Sequence, residues 1–237
     1  MTGSRIDLHW FRSDQISGDT DAHLSLLDEQ EVAQFQTFER DDVAANFALR
    51  RCVRRAVLAR YFPDAGPSEL GFETNSAGKP RLQAPHQRLF FNASHGHAGG
   101  VLAVCADFPI GVDVEFERAL DHAAFAEKIL SAEERRHYLE TPAEKRLAVL
   151  RTAWTAKEAL VKALGIGLNL NLLPQMSVQS CRSMQGWRSA RLSNTLSTEE
   201  HWKVWTGSLD NAFSQPAMVS IAAPQACEVV VQEAGPG

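Results

Sequence analysis

Apolar and polar positions alternate at the start of the chain and again in its last third. The opening run RIDLHWFR has this alternation, and beyond Gly167 the periodicity favours strands in SVQS, WRSARL, WKVWTGSL, AMVSIAA and CEVVVQ. A period of two residues is typical of a strand that buries one of its faces. We therefore expect one strand at the start and several strands in the last third.

Helical periodicity occupies two other regions. Positions 20–62 read as helical, first in LSLLDEQEVAQFQTF and then in DDVAANFALRRCVRRAVLARYF. Two more helices are predicted over roughly 123–139 and 144–164, and the first is interrupted at LSAEE. Ser131 and Glu134 have the spacing of a capping box there, which indicates a new helix start.

The second of the early helices carries an apolar stripe of Leu49, Val53, Val57 and Tyr61 at every fourth residue. Such a stripe is typical of a helix that packs on a core. The arginines of RRCVRR lie mostly off the stripe. We expect most of them in solvent or along the edge of the core, where their stems cover apolar surface.

Three strand-like runs in the middle of the chain are joined by short turns: RLFFNAS, GGVLAVCA and IGVDVEFE. Short turns favour antiparallel pairing, so the runs predict an antiparallel meander. Helices and strands alternate irregularly along the chain. The predicted class is therefore α+β, with antiparallel sheets packed against helices, and not a doubly wound parallel sheet.

The run IGVDVEFE places Asp113, Glu115 and Glu117 on one face of its strand. Carboxylates two residues apart on a strand are about 6.5 to 7 Å apart. That is close enough for repulsion to raise their pKa values or to favour a cation between them. An acidic face that only meets water is also common on antiparallel strands, so the strand alone does not define a metal site.

The stretch AWTAKEALVKALGIG changes this picture, because a helix places Trp154, Glu158 and Lys162 along one side. Glu158 and Lys162 could form an exposed ion pair worth about 0.3 to 0.5 kcal/mol. The apolar surroundings of the helix favour a cleft instead. Asp113, Glu115 and Glu158 would then form an oxygen-only ligand set, which suits Mg²⁺ completed by phosphate oxygens. A phosphate ester or anhydride is the substrate class that this indicates.

Candidate phosphate ligands lie in FFNASHGHAGG, where Ser94 and His95 precede several glycines. Backbone N–H groups can approach an anion closely at such a place. A hairpin turn explains the glycines equally well, and His95 or His97 could be surface residues. Further candidates for phosphate binding are Arg50, Arg54 and Lys79.

Charge and composition exclude some classes of protein. The formal net charge is -5 and the pI is about 5.9, which argues against a nucleic-acid binder. No apolar run approaches 18 residues, and the charged N-terminus does not resemble a signal peptide. The four cysteines, Cys52, Cys105, Cys181 and Cys227, are far apart in sequence and are expected to be buried thiols in a cytoplasmic protein.

Three segments in order, GKPRL…FFNASH, IGVDVE and WTAKEALVKALGIGL, resemble the surfactin-type 4′-phosphopantetheinyl transferases. Enzymes of this family move phosphopantetheine from coenzyme A to a serine of an acyl or peptidyl carrier protein. The resemblance covers roughly residues 40–168. It implies two similar α+β lobes with pseudo-twofold symmetry, residues 1–109 and 110–237, with coenzyme A in the cleft between them.

The resemblance also implies roles for particular residues. The implied magnesium ligands are Asp113, Glu115 and Glu158. The implied coenzyme A phosphate contacts are Lys79, Ser94 and His95, with Arg50 at the 3′-phosphate. Catalysis would rest on Asp113, on Glu158 as a general base acting directly or through a metal-bound water, and on Lys162 beside the pyrophosphate. Glu117 has no implied role and is expected to be solvated.

The partners implied are coenzyme A and a carrier protein, with the chain acting as a monomer. The chain departs from its relatives in having SHGH where they often have Ser-His-Ser. FAEKILSAEE, which resembles the usual carrier-docking segment, lacks the paired phenylalanines common there. Two alternatives use the same residues: a metal-dependent phosphodiesterase or nuclease, and a non-catalytic coenzyme A or carrier-binding protein.

Overall fold

The computed structural model describes residues 3–16, 23–117, 122–179, 186–192 and 201–234. The helices are α1 (Glu29–Phe35), α2 (Asp41–Ala59), α3 (His122–Ile129), α4 (Ala132–Glu140) and α5 (Ala143–Leu164). The strands are β1 (Arg5–Arg12), β2 (Phe72–Thr74), β3 (Pro80–Leu82), β4 (Phe90–His95), β5 (Gly99–Cys105), β6 (Gly111–Phe116), β7 (Met176–Val178), β8 (Gly186–Leu192), β9 (Lys203–Ser208), β10 (Ala217–Ala223) and β11 (Glu228–Glu233).

The strands form two larger sheets and one hairpin. The first sheet has the order β11-β1-β5-β4, the second has the order β6-β10-β9-β8-β7, and β2 pairs with β3. Pairing is antiparallel throughout these sheets except between β1 and β11, which are parallel. The predicted α+β class with antiparallel sheets is confirmed. The pseudo-twofold relation of two lobes divided at residue 109 stays a prediction.

Strand β6 does not continue the predicted meander, so that part of the prediction was wrong. β4 and β5 pair as expected, but β6 pairs with β10, with Asp113 opposite Ser220. The short connection before β6 carries the chain from one sheet to the other, and local turn signals do not reveal a partner so distant in sequence. A side chain joins the sheets at this point, because Asn92 Oδ1 of β4 accepts a hydrogen bond of 2.8 Å from Val112 N.

Each larger sheet packs against one long helix. The apolar stripe of α2, including Leu49, Val53 and Val57, lies in a buried cluster with the first sheet. Residues of α5 form a second cluster with strands of the second sheet, including Val204 and Ala222. This packing holds α5 directly against the sheet that contains β6.

The prediction that the α2 arginines are mostly solvated was wrong for Arg54 and Arg55, which are 7% and 0% exposed. Arg55 donates to the carboxylates of Asp28 and Glu31 and to the Leu70 carbonyl at 2.9 Å. Arg54 donates to Glu31 Oε1 at 2.6 Å. Burial is tolerated because these acidic groups compensate the guanidinium charges, and the pairs fix α1 against α2.

The predicted capping box is present at the start of α4. Ser131 Oγ accepts a hydrogen bond from Glu134 N at 3.3 Å, and Glu134 Oε2 accepts one from Ser131 N at 2.8 Å. Cys52 and Cys105 are buried as expected, whereas Cys227 is partly exposed and Cys181 lies outside the described residues. None of the described helices is both long and apolar enough to cross a membrane.

Candidate active site

The candidate site forms where α5 crosses the start of β6 at very short range. A Cβ atom at Gly111 would lie 2.1 Å from the carbonyl oxygen of Ala159 and 2.3 Å from the nitrogen of Ala163. Only glycine allows this approach of helix and strand. At this contact, the side chains of Asp113 and Glu115 point toward side chains of α5.

Asp113, Lys162 and Ser94 form a closed triangle of hydrogen bonds. Asp113 is 4% exposed, and its Oδ1 atom accepts from Lys162 Nζ at 2.7 Å and from Ser94 Oγ at 2.8 Å. Lys162 Nζ also donates to Ser94 Oγ at 3.0 Å. The triangle joins three elements: β4, β6 and α5.

The other carboxylate oxygen of Asp113 is different. Oδ2 is buried and has no hydrogen-bond partner among the described residues. A buried carboxylate oxygen without a donor is costly unless a cation or another donor completes it. This atom is therefore the strongest local indication that the site takes up a positively charged group.

Glu115 is held by Trp154, which the sequence placed on the same helix side as Glu158 but without a function. Trp154 Nε1 donates to Glu115 Oε1 at 2.7 Å, and the indole packs against Phe125 with ring centroids 4.9 Å apart. The four-residue spacing of Trp154 and Glu158 was the available signal. Glu117 is exposed as expected, 3.8 Å from Arg151 between Oε1 and Nη1.

Glu158 is 9% exposed and lies within electrostatic range of the other acidic groups. Burial raises the pKa of Glu158 to about 7, and the negative charges of Asp113 and Glu115 act in the same direction, while Lys162 opposes them. A carboxyl group with such a pKa exchanges its proton near neutral pH. It is thus suited to general acid–base chemistry.

The residues present fit a hard divalent cation, although they do not form a ready-made cage. Among the described residues, no three His, Cys, Asp or Glu side chains converge as a metal cluster. The unpartnered Oδ2 of Asp113 and the acidic groups that raise the Glu158 pKa nevertheless supply carboxylate oxygens, with one lysine, Lys162, paired to Asp113. Oxygen-only ligands that leave room for water and phosphate are typical of Mg²⁺ sites.

Arg50 and His95 line one side of a cavity of about 780 Å³ together with Arg54 and Gly78. His95 is an exposed residue, but partial desolvation by the surrounding protein, together with the positive charges of Arg50 and Lys162, lowers the pKa of its imidazole to about 4. Burial also lowers the pKa of Arg50. Arginine and imidazole groups around a cavity of this size favour an anionic ligand. A phosphate would balance the positive charge of the arginines and accept hydrogen bonds from these groups.

Lys79 lies between Gly78 and Pro80, which both line that cavity, but its side chain bonds main-chain groups. Its ammonium group donates to the carbonyl oxygens of Ile110 at 2.8 Å and Ala163 at 3.2 Å, and burial lowers its pKa to about 8. The sequence predicted a coenzyme A phosphate contact for Lys79. That contact stays a prediction, and the structure adds a role for the ammonium group that the sequence did not indicate.

A second lysine of α5 was missed by the sequence analysis. Lys157 is fully buried, with Nζ donating to Ile129 O at 2.6 Å and Leu173 O at 2.8 Å, and lying 2.6 Å from Glu134 Oε2. It therefore ties the catalytic helix to the capped start of α4. Nothing in the spacing of residues around Glu158 indicated that the neighbouring Lys157 side chain is directed away from the candidate site.

Sequence comparisons with known proteins point to one family. A sequence model described as the 4′-phosphopantetheinyl transferase superfamily matches residues 109–220. The 4′-phosphopantetheinyl transferase psf-1 of Bacillus pumilus is 33% identical over 193 residues, covering 78% of each chain.

More distant relatives match over shorter stretches. The 4′-phosphopantetheinyl transferase HetI of Nostoc is 29% identical over 145 residues, which cover 60% of this chain and 61% of that protein. The L-aminoadipate-semialdehyde dehydrogenase-phosphopantetheinyl transferase of Schizosaccharomyces pombe is 31% identical over 153 residues, which cover 56% and 57%. The chain thus spans about three-fifths of the length of these two relatives.

A buried acidic site beside cationic side chains is a combination that suits a phosphate compound. The chain belongs to the 4′-phosphopantetheinyl transferase superfamily. The enzyme class predicted from the sequence, a phosphopantetheinyl transferase, is thereby confirmed.

Proposed function

We propose that this chain transfers phosphopantetheine from coenzyme A to a serine hydroxyl of an acyl or peptidyl carrier protein in a magnesium-dependent reaction. The observation that carries the proposal is the buried Asp113, with one oxygen bonded to Lys162 and Ser94 and the other lacking a partner among the described residues. Such an arrangement joins a cation site to a lysine suited to a phosphate leaving group.

Asp113 through Oδ2, Glu115 and Glu158 would hold the magnesium ion. Trp154 orients the Glu115 carboxylate by donating to its Oε1 atom at 2.7 Å. When bound, Mg²⁺ neutralises the pyrophosphate oxygens and stabilises the charge that develops on them during transfer. The acidic groups that oppose ionisation of Glu158 are the same ones that favour binding of a cation.

Glu158 would act as the general base, directly or through one water molecule. It removes the proton from the carrier serine hydroxyl as the oxygen attacks the phosphorus that bears the pantetheine arm. The new bond joins serine oxygen to phosphorus, and the bond from phosphorus to the oxygen of 3′,5′-ADP breaks. Lys162 offers its ammonium group to the departing phosphate, where it stabilises the charge or donates a proton.

The coenzyme A phosphates would be bound by Arg50 and His95 in the cavity and by Ser94, which precedes His95 on β4. Partial desolvation and nearby positive charge lower the pKa of His95. A phosphate beside it would raise its affinity for a proton and add a charge-assisted hydrogen bond. Arg50 supplies a permanent positive charge for the 3′-phosphate.

Both alternative functions have less support. A nuclease needs a basic track for the phosphate backbone, and the net charge of -5 opposes one. A non-catalytic binding protein would not need a buried carboxyl group whose pKa is about 7 beside a lysine. The cytoplasmic location and monomeric state expected from the sequence stay predictions.

One incubation tests the proposal. The chain is mixed with an apo carrier protein, coenzyme A and Mg²⁺, and the carrier is examined by intact mass spectrometry. We expect a mass increase of one phosphopantetheinyl group, which disappears when the carrier serine is replaced by alanine. Carriers of fatty acid, polyketide and nonribosomal peptide type are compared in parallel. Unmodified carriers of all three types would contradict the proposal.

A further inference from the structure

The turn between β2 and β3 reaches across to the end of α5. Asn75 Nδ2 donates to the carbonyl oxygen of Gly165 at 3.0 Å, and Lys79 Nζ donates to the carbonyl oxygen of Ala163 at 3.2 Å. Both contacts bridge about ninety residues of sequence, so they are tertiary contacts and not part of a local turn. They meet the helix one to three residues beyond Lys162.

The end of α5 needs such donors. The last four carbonyl groups of a helix have no partner within the helix, and they carry the negative end of its dipole. Gly165 ends the helix with a φ of 67°, and its N–H bonds to Val161 O at 3.0 Å. An amide and an ammonium group from the turn therefore complete carbonyls that the helix itself cannot satisfy.

Asn75 is built to make this contact rigid. Its Oδ1 atom accepts hydrogen bonds from Ala77 N at 3.0 Å and Lys79 N at 2.8 Å, which fold the turn around the side chain. The opposite atom, Nδ2, is thereby aimed at Gly165. A Cβ atom at Gly165 would lie 2.9 Å from Nδ2, so the helix end and the turn are in direct contact.

Lys79 joins the helix to the strand as well. The same ammonium group that contacts Ala163 O donates at 2.8 Å to Ile110 O, immediately before β6. Next to this bond, Gly111 permits the closest approach of β6 and α5. Lys79 therefore connects the element that carries Asp113 to the element that carries Lys162.

We propose that Asn75 and Lys79 form a clamp that positions α5 on β6 and thereby sets the geometry of the Lys162–Asp113 pair for phosphoryl transfer. Both are positioning residues in this assignment, because their side-chain donors bond main-chain carbonyls. The inference rests on the proposed function for its catalytic consequence. It differs from the sequence-based prediction for Lys79, in which the ammonium group binds a coenzyme A phosphate.

Two variants separate these roles. Lys79→Met keeps the length of the side chain and removes its ammonium group. Asn75→Asp keeps the oxygen that folds the turn, and replaces the donor to Gly165 by an acceptor. Arg81→Gln is the matched control, because Arg81 lies in the same hairpin and forms an exposed ion pair with Glu73 at 2.8 Å. Thermal unfolding verifies that each variant is folded, and Asn75→Asp decides alone if Lys79→Met does not fold.

The first measurement is hydrogen exchange of the amides at 161–165, followed by mass spectrometry on the free protein. We expect exchange at the end of α5 to be roughly tenfold faster in both variants than in the wild type and in Arg81→Gln. Unchanged exchange in both variants would overturn the clamp. This readout needs no catalytic activity, so it decides the clamp even if the wild type modifies no carrier and the proposed function fails.

The second measurement is a steady-state comparison with coenzyme A and a carrier protein. Misplacement of Lys162 should lower kcat by roughly ten- to a hundredfold in both variants, with the coenzyme A KM changing less than about threefold. Their effects should not add in the double variant, since both act on one helix end. A raised coenzyme A KM in Lys79→Met with unchanged kcat, together with normal Asn75→Asp kinetics, would assign Lys79 to the ligand and overturn the proposal.

Discussion

Lys162 and Asp113 form an ion pair of 2.7 Å between helix α5 and strand β6, with the aspartate 4% exposed. The pair leaves one aspartate oxygen without a partner among the described residues. Removing either partner therefore changes two things, the charge balance of a buried pair and the site proposed for magnesium.

Asp113→Asn tests the metal site while keeping the shape of the side chain. It removes one negative charge from the proposed ligand set, so transfer should fall by roughly a hundredfold or more, and added Mg²⁺ should restore only part of it. The measurement is the rate of carrier modification as a function of Mg²⁺ concentration, with chelator-treated wild type as the reference. Full wild-type activity in the presence of excess EDTA would rule out the metal assignment.

Glu158→Gln tests the general base. The substitution preserves size and one acceptor oxygen but removes the ionisable group, so kcat should fall by roughly a hundredfold or more, with a smaller change in coenzyme A affinity. The wild-type rate at subsaturating Mg²⁺ should also decrease as the pH falls below about 7, and the variant should lack this dependence. A wild-type kcat in Glu158→Gln would show that the base lies elsewhere.

The same carboxyl group makes a prediction for the stability of the metal-free protein. Burial raises the pKa of Glu158 from its ordinary value to about 7, so the native state binds more protons than the unfolded state between these values. The contribution of protonated Glu158 to the free energy of unfolding is complete below the pKa of this group in the unfolded state. It is lost as the pH rises through 7. Glu158→Gln should flatten this fall in the free energy of unfolding, measured by urea titration between pH 4.5 and 8. Equal pH slopes for the two proteins would contradict the raised pKa.

Trp154→Phe tests the orientation of Glu115. Phenylalanine retains packing against Phe125 but lacks the N–H group that donates to Glu115 at 2.7 Å. We expect the Mg²⁺ concentration for half-maximal activity to increase several-fold, since loss of a group that orients a ligand typically weakens metal binding. The melting temperature should change little. Unaltered magnesium dependence would mean that the indole contributes packing only.

Arg50→Gln and His95→Gln test the phosphate end of the site. Each lost charge-assisted hydrogen bond is worth about 1.5 to 3 kcal/mol, so coenzyme A affinity should fall roughly ten- to a hundredfold. The wild type should bind dephospho-coenzyme A more weakly than coenzyme A. A substitution at a residue that contacts the 3′-phosphate should then weaken binding of dephospho-coenzyme A little further. Equal losses with both ligands would show that neither residue reads the 3′-phosphate.

The parts of the fold that are set by local pattern were predictable. Alternation identified the strands of the last third, and the Ser131–Glu134 spacing identified the start of α4. The pairing of β6 with β10 was not predictable from short turns, because the choice of partner depends on packing between segments about one hundred residues apart.

The candidate site divides in the same way. The period of β6 correctly placed Asp113 and Glu115 on one face of the strand, and the period of α5 placed Glu158 and Lys162 on one side of the helix, since period two and period 3.6 fix the direction of side chains. The contacts of Lys162 with Asp113 and of Trp154 with Glu115 show that these two surfaces meet. The periodicity of a helix or strand does not fix where the end of a long, flexible side chain lies. Lys79 and Lys157 therefore turned out to bond main-chain carbonyls, although nothing in their spacing distinguished them from surface lysines.

The parallel pairing of β1 with β11 joins positions 5–10 to positions 228–233. The strand that pairs with one edge of β1 is consequently synthesised only after almost all of the rest of the chain. During translation on the ribosome, β1 can pair with β5 early, but the sheet is completed last by a segment more than two hundred residues away. Because such distant contacts form slowly, the nascent first half should expose an unpaired strand edge and be prone to association with other chains until β11 arrives.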